Sequence, residues 1–446
     1  MYVRFWGTRG SIATPGPQTT HYGGNTSCVE VRADDGTLII LDCGTGAREL
    51  GLHLLRTEPR PLRLHLFIGH THWDHIQGFP FFDPAFLPDT ELHLYAPRDF
   101  QHSLEEALAG QMQYPYFPVK LDDLRSRMRY MELEEGFLRV GKVRVETQYL
   151  NHTAPTIAYR LSSAGATVAY ATDHEPFWNP AARRFQHPGD RRHIEFLKGA
   201  DLIIHDAQYT REEYRSKVGW GHSTIEYATD IALAAGAARL ALFHHDPGRD
   251  DLSMQGLEEA ARARVARHPG RLEVFAAAEG LALHVHGKGN TSTIAEGSAQ
   301  QHRPLHCGRV MLVSADELRA ASIARVLGED GLVLTRMPDR RTALAQAPTV
   351  APDVVIIDER LPDGEGATLI PALRARLKRR DLPVIILTDG TDREVSVHGG
   401  LAAATDYLAH PMGLPLLRTR VRAWLVRTLA PLHTSSPKHS RRARRA

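Results

Sequence analysis

The sequence predicts an α/β protein built of two bodies, and three observations carry that prediction. Residues 1–287 string short apolar runs between Gly, Pro and Asp turns, and several of these runs end in histidine or aspartate. Residues 288–308, "GNTSTIAEGSAQQHRPLHCG" and its flank, are polar, rich in Gly, Ser and Gln, and without periodicity, as a linker is. From Arg309 to Leu429 strand-like and helix-like runs alternate five times, the pattern of a doubly wound parallel sheet. The expected organisation is therefore a body at 1–287, a linker at 288–308, a second body at 309–430 and a basic tail at 431–446.

Composition bounds the class. The chain has 446 residues, 42% hydrophobic and 24% charged, ordinary for globular protein. No apolar run reaches the ~18 residues that a membrane span needs, and "MYVRFWGTRG" lacks the apolar core of a secretion signal. Three scattered cysteines (Cys28, Cys43, Cys307) are too few for a disulfide framework, so a cytoplasmic location is expected. Cys43 reads as a small buried residue. Net charge is +2, but "HTSSPKHSRRARRA" carries five Lys/Arg and no acid, which leaves 2 − 5 = −3 for the remainder. A solvated, disordered tail is expected, with nucleic acid or anionic lipid as alternative contacts.

In the first body, "SCVEVRADDGTLIILDCG" reads as a hairpin turning at Asp-Asp-Gly. Five later runs each deliver ligand-type side chains at their C-terminal ends: "LHLFIGH" ends at His70, "VRVETQYLNH" at His152, "TVAYATD" at Asp173, "ADLIIHD" at His205 and Asp206, and "RLALFHHD" at His244, His245 and Asp246. In layered α/β proteins such ends lie along one sheet edge, where sites collect. Immediately after the first run, "HTHWDH" packs His70, His72, Asp74 and His75 into six positions, too many donors for one ion but suitable for two. His70 and His72 are expected on one ion with His152, and Asp74 and His75 on a second with His244, with Asp173 between them. Imidazole and carboxylate donors suit zinc, with manganese or iron as alternatives. Two such ions share a water and acidify it towards hydroxide near neutral pH. His245 and His174 are expected to support ligands, His245 by orienting one or touching phosphate. His205 is expected to pack.

The His-x-His-x-Asp-His motif resembles the signature of the metallo-β-lactamase fold, an αβ/βα sandwich whose members hydrolyse lactams, thioesters and phosphodiesters. Further motifs resemble the ribonuclease Z and phosphodiesterase branch: "GHST" opens a helix, His244 follows His222 by 22 residues, and "IIHDAQY" is similar to the branch's His-Glu-Ala-Thr-Phe run with Asp206 for Glu. The resemblance implies that Asp206 and His222 form a proton-donating pair for the leaving group, and that Asp74 belongs to both the metal and the catalytic set. One departure matters. Bacterial members carry a transfer-RNA-gripping arm between the third metal histidine and the bridging aspartate, whereas His152 and Asp173 are only 21 residues apart. The segment 176–193, with Arg183, Arg184, Arg191 and Arg192, is mildly basic and no clamp. A small or cyclic phosphodiester is the expected substrate.

The second body resembles a response-regulator receiver. "DVVIIDERLPDGEG" places Asp358 at the phosphoacceptor position, "VIILTDG" places Thr388 at the switch hydroxyl and "ATDYLAHP" places Tyr407 at the switch aromatic. The acidic pair that holds magnesium is replaced by Ser314 and Ala315, with Asp316 one step beyond, and the lysine position is His410. Magnesium wants several oxygen donors, so weak magnesium binding and a docking or dimerisation module are expected. The alternative is a working phosphorelay receiver served by a histidine kinase. The combined expectation is a dinuclear-metal phosphodiesterase coupled to a degenerate receiver, possible as a homodimer. Two alternatives remain open: a thioester or lactam hydrolase of the same fold, and a signalling adaptor acting through the receiver-like body.

Overall fold

A computed structural model describes residues 1–99, 101–177, 185, 187–268, 270–287, 308–388, 404–409 and 413–429. The first body holds two seven-stranded sheets. The strands are β1 (Tyr2–Gly7), β2 (Cys28–Arg32), β3 (Leu38–Leu41), β4 (Leu62–Phe67), β5 (Thr90–Pro97), β6 (Arg127–Leu133), β7 (Gly136–Val140), β8 (Val143–Tyr149), β9 (Ile157–Ser163), β10 (Ala166–Ala171), β11 (Leu202–Asp206), β12 (Arg239–Phe243), β13 (Glu273–Ala276) and β14 (Ala282–His284). Their order is β14-β1-β2-β3-β4-β5-β6 in one sheet and β13-β12-β11-β10-β9-β8-β7 in the other.

Alternation decides which side each strand buries. In β1, Val3 and Phe5 are buried while Tyr2, Arg4 and Trp6 are half-buried. Phe5, Val29, Leu41 and Phe67 from one sheet share a core with Val145, Tyr159, Tyr170 and Phe243 from the other. The outer faces are covered by helices. Ala47–Thr57 buries Leu50 and Leu54 in a core with Ile40, Leu64 and Leu66, and Ile225–Ala234 buries Ala228 and Ile231 in one with Ile203, Leu240 and Leu242. Each fully buried Leu or Ile of this kind contributes roughly 1.5–3 kcal/mol. The result is an αβ/βα sandwich. The β2–β3 hairpin is present, with Val29 opposite Leu41, and Gly36 turns it at φ +85.

One expectation needs correction. The five donor-bearing strand ends do not lie on one sheet: β4 belongs to the first sheet, and β8, β10, β11 and β12 to the second. The reason is nonlocal pairing. β4 lies between β3 and β5, and the second sheet begins at β7, so the donors meet across the mouth between the two sheets.

The second body is a five-stranded sheet of β15 (Arg309–Val313), β16 (Val333–Met337), β17 (Val354–Asp358), β20 (Val384–Thr388) and β21 (Asp406–Ala409), ordered β16-β15-β17-β20-β21; β18 (Arg360–Leu361) and β19 (Gly364–Glu365) form a small hairpin beside it. All ladders of the five-stranded sheet are parallel, the doubly wound arrangement. Four described helices flank it: Glu317–Gly328, Arg340–Val350, Leu369–Leu377 and Leu414–Leu429. The fourth expected helix, the linker apart from Gly308, the basic tail, Cys307 and His410 lie outside the described residues.

The last helix joins the two bodies. Ala423 enters the inter-sheet core, Arg422 donates to Glu134 at 2.9 Å and Arg427 to Glu135 at 2.7 Å. Among the described residues no helix is long and apolar enough to cross a membrane.

Candidate metal centre

The turn after β4 explains the crowding in "HTHWDH". His72 lies on extended backbone, and Trp73–Ile76 then coils into one helical turn with His72 as its N-cap. That change of backbone carries Asp74 and His75 towards a second group of donors, while the His75 ring stays 4.3 Å from that of His70. Of four overlapping groups of donor atoms, each within 4.8 Å, two divide that turn: His70, His72 and His152 in one set, and Asp74, His75, Asp173 and His244 in the other; the remaining two join His222 to His152 and Asp173, and to Asp206 and His244. Asp173 spans them. Its Oδ1 is 3.9 Å from Nε2 of both His70 and His152, and its Oδ2 is 3.1 Å from His75 Nε2 and 3.4 Å from His244 Nε2.

The donor set fits a pair of divalent cations. Both ring nitrogens of His70 are buried without a hydrogen-bond partner, a costly arrangement that a cation would relieve. Burial, joined by the neighbouring His75 and His72, keeps His70 well below its ordinary pKa. Burial likewise lowers His152 to about 3 against the pull of Asp173. Neutral imidazole is the ligating form. At His75 burial also opposes charge, but Asp74, Asp173 and Asp42 outweigh it and raise the imidazolium well above its usual value. Positive charge is thus favoured where the second set converges.

Supporting contacts fix the donors. Asp42, fully buried at the end of β3, accepts from His75 Nδ1 at 2.8 Å, Gly69 N at 2.6 Å and the Tyr170 hydroxyl at 2.5 Å. This turns His75 Nε2 towards Asp74 and Asp173, the carboxylate–histidine support common at metal sites. His152 Nδ1 donates to the Gly221 carbonyl at 2.9 Å, and Ser11 N donates to Asp74 Oδ2 at 2.7 Å. Sequence reasoning passed over Asp42, although it obeys the rule that exposed the other residues, an ionisable side chain ending an apolar strand.

His222 stands between the two sets. Its Nδ1 is 2.9 Å from Asp206 Oδ2 and 3.7 Å from Asp173 Oδ1. Asp206 is fixed in turn by the backbone N–H groups of His174 and Gln208, both at 3.1 Å. Burial opposes the His222 charge, but Asp206, Asp173 and Asp74 prevail and raise its pKa to about 9. His222 lines a pocket of about 470 Å³ with Ser11, Thr71, His72, Trp73, Asp74 and Asp173.

Other histidines face elsewhere. His245 Nε2 meets the Ala277 carbonyl at 2.8 Å and its ring is buried, so the expected phosphate contact is not open to it. His174 accepts from Asn151 N at 3.2 Å and meets the Tyr227 hydroxyl at 3.2 Å. It stacks on His193, whose Nε2 lies 2.9 Å from His205 Nε2. These three rings form packing and hydrogen bonds beside the site.

In the second body Asp358 is buried, and its Oδ1 accepts from Arg319 Nη1 at 3.1 Å. Asp316 caps the next helix by accepting from Arg319 N at 2.9 Å, so a guanidinium rather than an acidic pair adjoins Asp358. The Thr388 hydroxyl donates to Leu408 O at 3.4 Å. Tyr407 meets the ring of His187 edge-on, centroids 4.2 Å apart, across the junction between the bodies.

Residues 37–245 match the family model described as a Beta-lactamase superfamily domain, and residues 310–422 match the Response regulator receiver domain. Among curated relatives, ribonuclease Z of Haloarcula marismortui is 26% identical over 55% of this chain and 86% of its own length. Ribonuclease Z of Geobacillus kaustophilus is 28% identical over 48% and 80%. Among solved structures, the metallo-beta-lactamase fold protein YhfI of Bacillus subtilis is 18% identical, with a TM-score of 0.45 over 64% of this chain and 99% of that one. The chain thus joins a metallo-β-lactamase-fold domain with ribonuclease Z relatives to a C-terminal response regulator receiver domain.

Proposed function

We propose that this protein is a dinuclear-metal phosphodiesterase acting on a small or cyclic phosphodiester. The observation that carries the reading is the Asp206–His222 pair, 2.9 Å apart and opening on the pocket that the two donor sets share. His70, His72 and His152 would hold one ion, Asp74, His75 and His244 the other, and Asp173 both; zinc suits this set best. Bound there, a divalent pair acidifies a water and offsets charge developing on phosphoryl oxygens.

The chain's own residues supply the rest. Asp42 keeps the His75 ring in the tautomer whose Nε2 faces the site. Asp206 accepts the Nδ1 proton of His222 and stabilises its charged form, so His222 can present a proton from Nε2 to a leaving alkoxide. Trp73, 75% exposed, is the aromatic side chain lining the pocket and offers a face to a base or other planar substituent. Leaving-group protonation separates this reading from thioester hydrolysis, whose thiolate leaves without a proton; a lactam nitrogen also needs a proton, and a substrate assay distinguishes that case. The ribonuclease Z relatives support phosphoester chemistry, whereas the short 152–173 segment leaves no length for an RNA-gripping arm.

The receiver reads as an intramolecular docking module. Asp358 is already balanced by Arg319, and the β21 side faces the hydrolase body through Tyr407 and His187.

The test is hydrolysis of bis(p-nitrophenyl) phosphate by purified protein, with metal content measured on the same sample. Activity with about two metals per chain supports the reading. Two metals without diester hydrolysis, but with thioester hydrolysis, would replace it.

A further inference from the structure

The helix Leu414–Leu429 of the receiver reaches into the support of the candidate metal centre through one residue. Arg420 is only 4% exposed. Its Nε donates to Asn151 Oδ1 at 2.8 Å, its Nη1 donates to Asp406 Oδ1 at 2.5 Å, and its guanidinium lies 4.3 Å over the Phe177 ring. Asn151 directly precedes His152. Its Nδ2 donates to the carbonyls of Glu175 at 2.9 Å and Pro176 at 3.2 Å, and its own carbonyl accepts from Glu175 N at 2.8 Å.

Glu175 carries the path onward. Its carboxylate accepts from Gly219 N at 2.7 Å, Gly221 N at 2.9 Å and the Tyr214 hydroxyl at 2.6 Å. The Gly221 carbonyl then receives His152 Nδ1. A side chain at 221 is excluded: φ is +90, and a Cβ would lie 2.2 Å from His152 Nδ1. His152 is therefore gripped from both sides, by its covalent neighbour Asn151 and by Gly221, and both grips trace back to Arg420. The same loop ends at His222.

We propose that Arg420 is a positioning residue for the metal centre, so that the receiver's last helix completes the hydrolase site. The structure brings Arg420, Asn151, Glu175 and Gly221 into one buried hydrogen-bonded chain ending on His152. Arginine suits the place because its planar fork reaches Asn151 and Asp406 at once; lysine, a point charge, cannot make both contacts in that geometry. The inference rests on His152 being a metal donor, as proposed above.

The test uses the full chain loaded with Co(II), whose absorption spectrum reports ligand geometry, and zinc affinity measured by chelator competition. Arg420→Met is expected to weaken one of the two zinc sites by about 10- to 100-fold, the usual effect of losing a ligand's support, and to alter the cobalt spectrum. Arg420→Lys should recover part of the affinity and not the spectrum. Arg427→Gln removes the ion pair to Glu135 on the same helix without touching Asn151, and should leave both readouts at wild type. A wild-type spectrum and affinity in Arg420→Met would overturn the proposal, as would an equal change in Arg427→Gln, which would reduce the effect to docking. Retention of both metals by His152→Ala would instead remove the ligand assignment beneath it.

Discussion

Asp42→Asn tests how the second donor set is held. The substitution keeps shape and suits the backbone, because φ at 42 is +60 and asparagine tolerates that region. What changes is hydrogen-bond polarity. Three donors converge on the Asp42 carboxylate: Gly69 N on Oδ1, and His75 Nδ1 and the Tyr170 hydroxyl on Oδ2. An amide offers one acceptor oxygen. If its NH2 replaces Oδ1 it opposes the Gly69 N–H, which cannot turn. If it replaces Oδ2, Tyr170 can rotate to accept, but His75 must accept at Nδ1 and carry its proton on Nε2, the atom facing Asp74 and Asp173. A protonated Nε2 cannot ligate. Loss of such support costs roughly 10- to 100-fold in metal affinity, or about 1.4–2.8 kcal/mol. The loss should concentrate on the Asp74–His75–His244 site. Chelator competition on full-length protein, with metal counted by mass spectrometry, reads it directly. Two wild-type affinities in Asp42→Asn would show that Asp42 does not set the His75 tautomer.

Three other outcomes are expected. His222→Ala should lower turnover of phosphodiesters by about 10²- to 10⁴-fold, the range for a general acid, while mass spectrometry still finds two metals; full activity would remove His222 from the mechanism. Trp73→Ala should raise KM for a nucleotide diester by about 5- to 150-fold if its exposed face stacks on a base at ~1–3 kcal/mol, with kcat little changed; an unchanged KM would place the base elsewhere. Asp406→Asn should lower the unfolding midpoint at pH 7, because burial opposes the Asp406 charge but Arg420 and His187 more than offset it and hold the carboxyl well below its ordinary value. A depressed carboxyl stabilises above its unfolded pKa of about 3.9. The gap between variant and wild type should therefore persist down to about pH 4 and close only below it; a gap that closes between pH 7 and 5 would contradict the assignment.

Much of this was legible because it is local. "HTHWDH" puts four donors within one turn, and His152, Asp173 and His244 each follow an apolar strand, so their convergence can be read without knowing which strands pair. The receiver pattern is equally local, since each βα unit carries its own periodicity. What the sequence hid depends on distance along the chain. Arg420 and Asn151 are 269 positions apart, and neither has a neighbour that marks it. The division of donors between two sheets was also hidden, because strand order is a nonlocal property. Arg319 against Asp358 is intermediate: the missing acidic pair was readable, and the guanidinium beside the remaining carboxylate was not.

Asp173 and His244 leave their strands with φ of +57 and +59, a backbone state that ordinary side chains enter at a cost of roughly 1–2 kcal/mol. Glycine would relieve both, at 173 with the loss of the carboxylate that faces His75 and His244. Thermal selection on metal-depleted protein should therefore drift towards glycine at these two positions, while selection on the metal-replete form should restore the donors. A laboratory lineage bred for heat tolerance in chelator would be expected to become sturdier and inert together, with the first casualties at the two residues where the chain turns left-handed to reach its metals.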